Sequence, residues 1–95
     1  MPDETADQFE ERMRNKRTNV LLRLMANQLD EYGLIEFTHL VKNNRRKQVA
    51  QKFYSLLVLK KQQAIELAQD NKLAYGELVV EKGERYDQAL AAFSL

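Results

Sequence analysis

Residues 49–59 read Val-Ala-Gln-Lys-Phe-Tyr-Ser-Leu-Leu-Val-Leu, with eight of eleven positions apolar or aromatic and no glycine or proline among them. A run of that length with those residues winds as a helix rather than pleating as a strand. At about 100° per residue, Val49, Ala50, Phe53, Tyr54, Leu56, Leu57 and Val58 fill an arc of roughly 200°, about twice the stripe a helix needs to face a core, and Leu59 lies outside even that arc. Such a helix is either covered jointly by its own sheet and first helix, or meets a second apolar surface beyond its core. Uncovered, the excess would be a partner site.

The rest of the chain frames this helix. Its 95 residues suit one domain, and a chain of that size buries only about 60–65% of its unfolded surface, so stability alone is modest. The only proline is Pro2, which leaves the remainder free to form long elements. A helical pattern spans 7–32, with Phe9, Met13, Val20 and Leu24 on a stripe joined by Leu21, Met25 and Leu29, and Gly33 as its left-handed cap. Its first half is mostly charge and should project from the body or lie on a partner. Leu34 to Phe37 alternates as a short strand does, Thr38 can cap a short helix over 39–42, and Asn44 can cap the greasy helix over 45–61. Residues 63–68 alternate again, with Ile65 and Leu67 on one face. Gln69, Asp70, Asn71 and Lys72 make a turn, 75–82 return as a strand, and 86–95 have the pattern of a frayed amphipathic helix.

Helix, strand, helix, helix, strand, strand is the order of an α+β winged helix, in which three helices pack on a small antiparallel sheet and the last hairpin is the wing. The expected layout is a disordered lead-in over 1–8, the winged-helix domain over 9–82, and a tail with helical pattern over 83–95.

Catalytic chemistry finds no foothold. There is no cysteine, and the one histidine, His39, has no second histidine to share a metal with, so a site would have to be completed by carboxylates. Ser55 and Ser94 lack the glycines of a nucleophile elbow, and the three glycines at 33, 76 and 83 are too scattered to cradle a phosphate. No apolar run is long enough to span a bilayer. The expectation is therefore a binding module with no catalytic residue, no metal and no cofactor of its own.

Fifteen basic and fourteen acidic residues leave a net charge of +1, yet the basic ones cluster, at 12–17 and at 43–47. Arg45, Arg46 and Lys47 open the third helix, where cations oppose the helix dipole by roughly 0.3–1 kcal/mol. With Lys52 they could grip phosphates, as in a DNA-binding winged helix, or meet an acidic patch on a protein. A DNA-reading helix also needs an open polar face, and here that face is narrow: Gln48, Gln51, Lys52 and Ser55. The wing turn, moreover, is not basic.

Asn44-Arg45-Arg46-Lys47-Gln48-Val49-Ala50, continuing through Lys52-Phe53-Tyr54-Ser55-Leu56-Leu57-Val58-Leu59-Lys60-Lys61-Gln62-Gln63-Ala64-Ile65-Glu66-Leu67, resembles the C-terminal signature of alpha-kleisins, the mitotic and meiotic cohesin subunits that bridge two SMC heads. Asn15-Lys16-Arg17-Thr18 before a leucine-rich helix is similar too. The resemblance implies a winged helix bound to the ATPase head of an SMC subunit, closing the SMC–kleisin ring for sister chromatid cohesion in the nucleus, on chromosomes. By the same resemblance, Phe53 and Leu57 are the matching contact positions, with Tyr54 and Leu56 beside them. ATP and magnesium would belong to the SMC partner, other cohesin subunits would be reached through the rest of the parent chain, and DNA contact would be secondary. After Gln69 the sequence departs from the family, with no proline and a run past Gly83 to Leu95. Self-association through the greasy face is a third reading.

Overall fold

A computed structural model describes residues 4–70 and 77–93, without the side chains of Asp70 and Phe93. Helix α1 (Ala6–Tyr32) is set by its two ends. At the start the Thr5 hydroxyl accepts from the Gln8 amide, and the Gln8 side chain accepts from the Thr5 amide, each at 3.1 Å. This reciprocal capping satisfies two amides that would otherwise lack partners, and it carries the helix three residues into the stretch expected as a disordered lead-in over 1–8. At the far end Gly33 adopts φ +79° and donates to the Leu29 carbonyl. The buried face of α1 is Thr18, Leu21, Leu22, Met25 and Leu29. Thr18 is 2% exposed, and its hydroxyl enters the core satisfied, donating to the Arg14 carbonyl at 2.9 Å. The stripe of Phe9, Met13, Val20 and Leu24 is therefore not the core stripe. Phe9, Val20 and Leu24 are exposed, and all of residues 6–12 lie in solvent.

Strand β1 (Leu34–Glu36), helix α2 (Phe37–Leu40), helix α3 (Arg46–Lys61), strand β2 (Ile65–Asp70), strand β3 (Glu77–Lys82) and helix α4 (Tyr86–Phe93) follow. The sheet order is β1-β3-β2, antiparallel throughout. Val80 stands at its centre, opposite Ile35 on one side and Leu67 on the other. Those three share the face turned to the helices, where Ile35, Val80 and Ile65 join Leu22, Met25, Leu29, Leu56 and Leu59 in one core with Leu67 packed against it. Each such side chain taken fully from water contributes about 1.5–3 kcal/mol. This is the winged-helix arrangement.

Local chemistry moves several boundaries. Helix α2 begins at Phe37, so Thr38 lies inside it rather than capping it. The Glu77 carboxylate reaches across from β3 and accepts from the Thr38 amide at 3.0 Å, doing the capping instead. Helix α3 is capped at Arg45, not Asn44: Gln48 Oε1 accepts from the Arg45 amide at 3.0 Å, while Asn44 turns inward. Helix α3 ends with Gln63 at φ +63°. The Ala64 amide bonds to the Leu59 carbonyl and the Gln63 amide to that of Lys60, a Schellman stop that delays β2 to Ile65.

The segment expected as a tail over 83–95 contributes to the core. Tyr86 is 3% exposed, and its hydroxyl donates to Asp30 Oδ1 at 3.1 Å. Lys82 reaches the same oxygen at 2.9 Å and lies 5.0 Å above the Tyr86 ring, tying α4 to the end of α1 and to β3. Asn71, Lys72, Tyr75, Gly76, Ser94 and Leu95, which carried the expected wing turn, the start of the return strand and the chain end, lie outside the described residues.

Candidate functional site

The breadth of the apolar arc on α3 resolves into two stripes. Ser55, Leu56 and Leu59 are buried against the core. Phe53, Tyr54 and Leu57 are 42%, 49% and 45% exposed, and Ala50 is exposed beside them. Positions 50, 53, 54 and 57 have the i, i+3, i+4, i+7 spacing of a helix face. At 100° per residue this face is centred about 160° from the buried one, nearly the opposite side of the helix. Val49 and Val58, half-buried, form the flanks.

Leu56 is a correction to the expected contact set. It is fully buried in the core among Leu22, Met25 and Ile65. One position along the helix reverses the side, since Leu56 and Leu57 are separated by about 100°. The other three positions share one open face.

Phe53 is held in place from behind. Its ring meets that of Phe37 edge-to-face, with centroids 5.9 Å apart and planes at 79°. Phe37 is half-buried and packs against the core, so the exposed aromatic is built on a fixed base. Order of this kind lowers the entropy lost when a partner fixes the side chain. Neither Phe37 nor Ala50 was singled out as a site residue from the sequence. Ala50 could have been found from its spacing with Phe53, Tyr54 and Leu57. Nothing local ties Phe37 to Phe53.

The polar residues behave otherwise than a DNA-reading helix requires. Gln48, Gln51, Lys52 and Ser55 do not form an open face. They look onto α1 across a groove that also takes in Met13, Val20 and Leu24. Ser55 is 3% exposed, its small side chain sitting where the two helices lie together. The Lys52 ammonium donates to the Leu40 carbonyl at 2.9 Å, closing the end of α2, so this cation has a structural partner already. Arg45, Arg46 and Lys47 are all exposed at the opening turn of α3, where nothing in the fold accounts for three cations. His39 is exposed too. Among the described residues no group of three or more His, Cys, Asp or Glu side chains could hold a metal, and no helix is long and apolar enough to cross a membrane.

The arrangement is thus an apolar, aromatic-bearing face about 10 Å long, carried on a rigid helix and bordered at its N-terminal end by cations. A surface of that build has the composition of a protein contact.

Residues 31–86, more than half of the chain, match the family model described as the conserved region of Rad21 / Rec8 like protein. Human double-strand-break repair protein rad21-like protein 1 is 40% identical over 82 residues, covering 81% of this chain and 14% of the relative. Sister chromatid cohesion protein 1 of Caenorhabditis elegans is 35% identical over 75 residues, covering 78% and 11%. The chain therefore spans only about a seventh or less of the curated relatives it matches. Among solved structures, the crystal structure of the SmcHead bound to the C-winged helix domain of ScpA contains a chain that superposes with a TM-score of 0.62 at 26% identity, covering 73% of this chain and 97% of that one. On the family match, this chain belongs to the Rad21 / Rec8 family of kleisins, as their conserved winged-helix region.

Proposed function

We propose that this chain is a non-catalytic module that docks on the ATPase head of a cohesin SMC subunit through the exposed face of α3, closing the SMC–kleisin ring for sister chromatid cohesion. The observation that carries it is the second apolar stripe. Phe53, Tyr54 and Leu57 stand in solvent on a helix whose opposite side already fills the core. Family membership and the solved complex of a kleisin winged helix with an Smc head support that choice of partner.

Phe53 and Leu57, one turn apart, are the anchors, and Tyr54 widens the contact. A few well-seated aromatic and aliphatic side chains dominate most interfaces. Arg45, Arg46 and Lys47 lie at the rim, where they steer encounter with an acidic surface more than they hold the complex. Nucleotide and magnesium belong to the head, and the winged helix affects ATP use only by contact. The remaining cohesin subunits are reached through other parts of the parent chain, and the module works in the nucleus on chromosomes.

The competing reading, a DNA-binding winged helix gripping phosphates with Arg45, Arg46, Lys47 and Lys52, is weakened by the turning of the polar edge of α3 toward α1. Calorimetric titration of the chain into a purified SMC head, at about 50 and 200 mM salt, separates the two. A phosphate-driven complex loses orders of magnitude over that interval, whereas an apolar contact changes far less. Head binding that persists at the higher salt supports docking. No binding to the head, together with salt-sensitive binding to a duplex, would overturn it in favour of the DNA reader.

A further inference from the structure

The apolar stripe of α1 that stays out of the core is not absorbed by head docking, and it forms one wall of a groove. The opposite wall is the first half of α3, and the groove holds about 390 Å³. Met13, Val20 and Leu24 supply apolar surface, and Lys16, Arg17 and Lys52 line the same depression, with no carboxylate among the described lining residues. Leu24 is 69% exposed, and with Met13 and Val20 it makes a contiguous apolar strip rather than a lone surface leucine.

We infer that this groove is a second docking site, and that its occupant is an acidic amphipathic helix of a partner protein. Positions 13, 17, 20 and 24 follow the i, i+4, i+7, i+11 spacing of one helix face and extend about 16 Å, the length of three turns of a partner helix. A helix is the element that fits, because α1 offers side-chain ridges and no unpaired backbone edge to add a strand to. The partner's sign follows from the charges. Lys16 and Arg17 form no ion pair among the described residues, so carboxylates flanking an apolar stripe would meet unneutralised cations.

Asn44 lines the groove as well. Nucleic acid suits the groove less well, since phosphates laid over Met13, Val20 and Leu24 would cover apolar surface with nothing apolar in return. The groove adjoins the proposed head contact along one edge, where Arg17, Gln51 and Ser55 also line a depression with Lys47, Ala50 and Tyr54, while its Gln48 and Lys52 lie on the far side of α3 from Phe53, Tyr54 and Leu57.

The test is fluorescence anisotropy of the whole chain with a labelled ~18-residue helical peptide, leucine at the i, i+4, i+7 and i+11 positions and glutamate around them. A second peptide has lysine for each glutamate, and a short DNA duplex is run beside both. The acidic peptide should bind saturably, and Leu24→Glu and Arg17→Glu should each weaken it by about tenfold or more. Both residues are exposed, so circular dichroism should find the variants folded. Phe53→Lys should leave this binding intact. No binding of the acidic peptide, equal binding of the lysine peptide, preference for the duplex, or loss in Phe53→Lys instead of Leu24→Glu would each overturn the inference.

Discussion

Phe37 meets Phe53 edge-to-face at a centroid distance of 5.9 Å, and through that contact an exposed ring on α3 rests on a half-buried ring at the start of α2. Edge-to-face pairs are worth about 0.5–1.5 kcal/mol beyond the area they bury. Phe37→Ala should cost the fold about 2 kcal/mol in urea denaturation. It should also weaken head binding several-fold although Phe53 is unchanged. An affinity equal to that of the parent would show that Phe53 needs no support from behind.

Leu56 and Leu57 are neighbours with opposite fates, one fully buried and one 45% exposed. Leu56→Ala should lower stability by about 2–5 kcal/mol. Leu57→Ala should change it by less than about 1 kcal/mol while weakening head binding. Parallel urea melts and titrations of the two variants check the assignment, and the reverse pattern would place Leu57 in the core.

The cluster of Asp30, Lys82 and Tyr86 makes stability depend on pH at both extremes. Burial, then the hydrogen bond to Asp30, push the Tyr86 phenol up to about 12 from its ordinary 10.0. A group whose pKa is raised by folding contributes stability that is complete below its unfolded value. That contribution should therefore be full below about pH 10 and lost as pH rises toward 12. Asp30 works in the other direction. The hydrogen bond from Lys82 holds its carboxyl below the ordinary 3.8, so its contribution is present above that pH and lost on further acidification. Thermal melts across alkaline pH should fall earlier for the parent than for Tyr86→Phe, which has no phenol to ionise. Identical alkaline profiles would contradict the assignment.

Gln63, just after α3, and Gly83, which packs against it from the end of β3, respond to substitution in opposite senses. Gln63 holds φ +63°, a conformation that glycine adopts freely and other residues at a cost. Gln63→Gly should stabilise the fold by about 0.5–1 kcal/mol. At Gly83 a Cβ would overlap the Gln63 carbonyl and come within 2.7 Å of the Ile65 nitrogen. Because those are backbone atoms at a strand junction, Gly83→Ala should destabilise by about 1–3 kcal/mol. Chemical denaturation reads both changes, and a neutral Gly83→Ala would mean that the junction yields.

The element order was legible because each signal is local. Helical periodicity, Gly33 after the first helix and the alternation through Ile65 and Leu67 all act within a few residues. The cap of α2 was misread for the opposite reason: Glu77 reaches it from across the sheet, and sequence spacing cannot rank a distant carboxylate against a nearby hydroxyl. At α3 the competing cap is itself local, Gln48 on the Arg45 amide, and residue type alone favoured Asn44. On α3 the arc announced two apolar surfaces, and three of the four expected contact residues lie on the open one. Leu56 went astray because the arc alone does not say which half the sheet will cover. The core role of Tyr86 was hidden likewise, since its partners Asp30 and Lys82 come from two other elements.

Head docking through the open face of α3 is tested most directly by Phe53→Lys, titrated against a purified SMC head at moderate salt beside the parent chain, with circular dichroism on both. The account predicts that the variant keeps its helical spectrum and a cooperative thermal transition, lowered by a few degrees through loss of the Phe37 contact, but loses head affinity by about a hundredfold or more. A folded variant that binds the head as tightly as the parent would contradict it, and so would a variant that fails to bind only because it has unfolded.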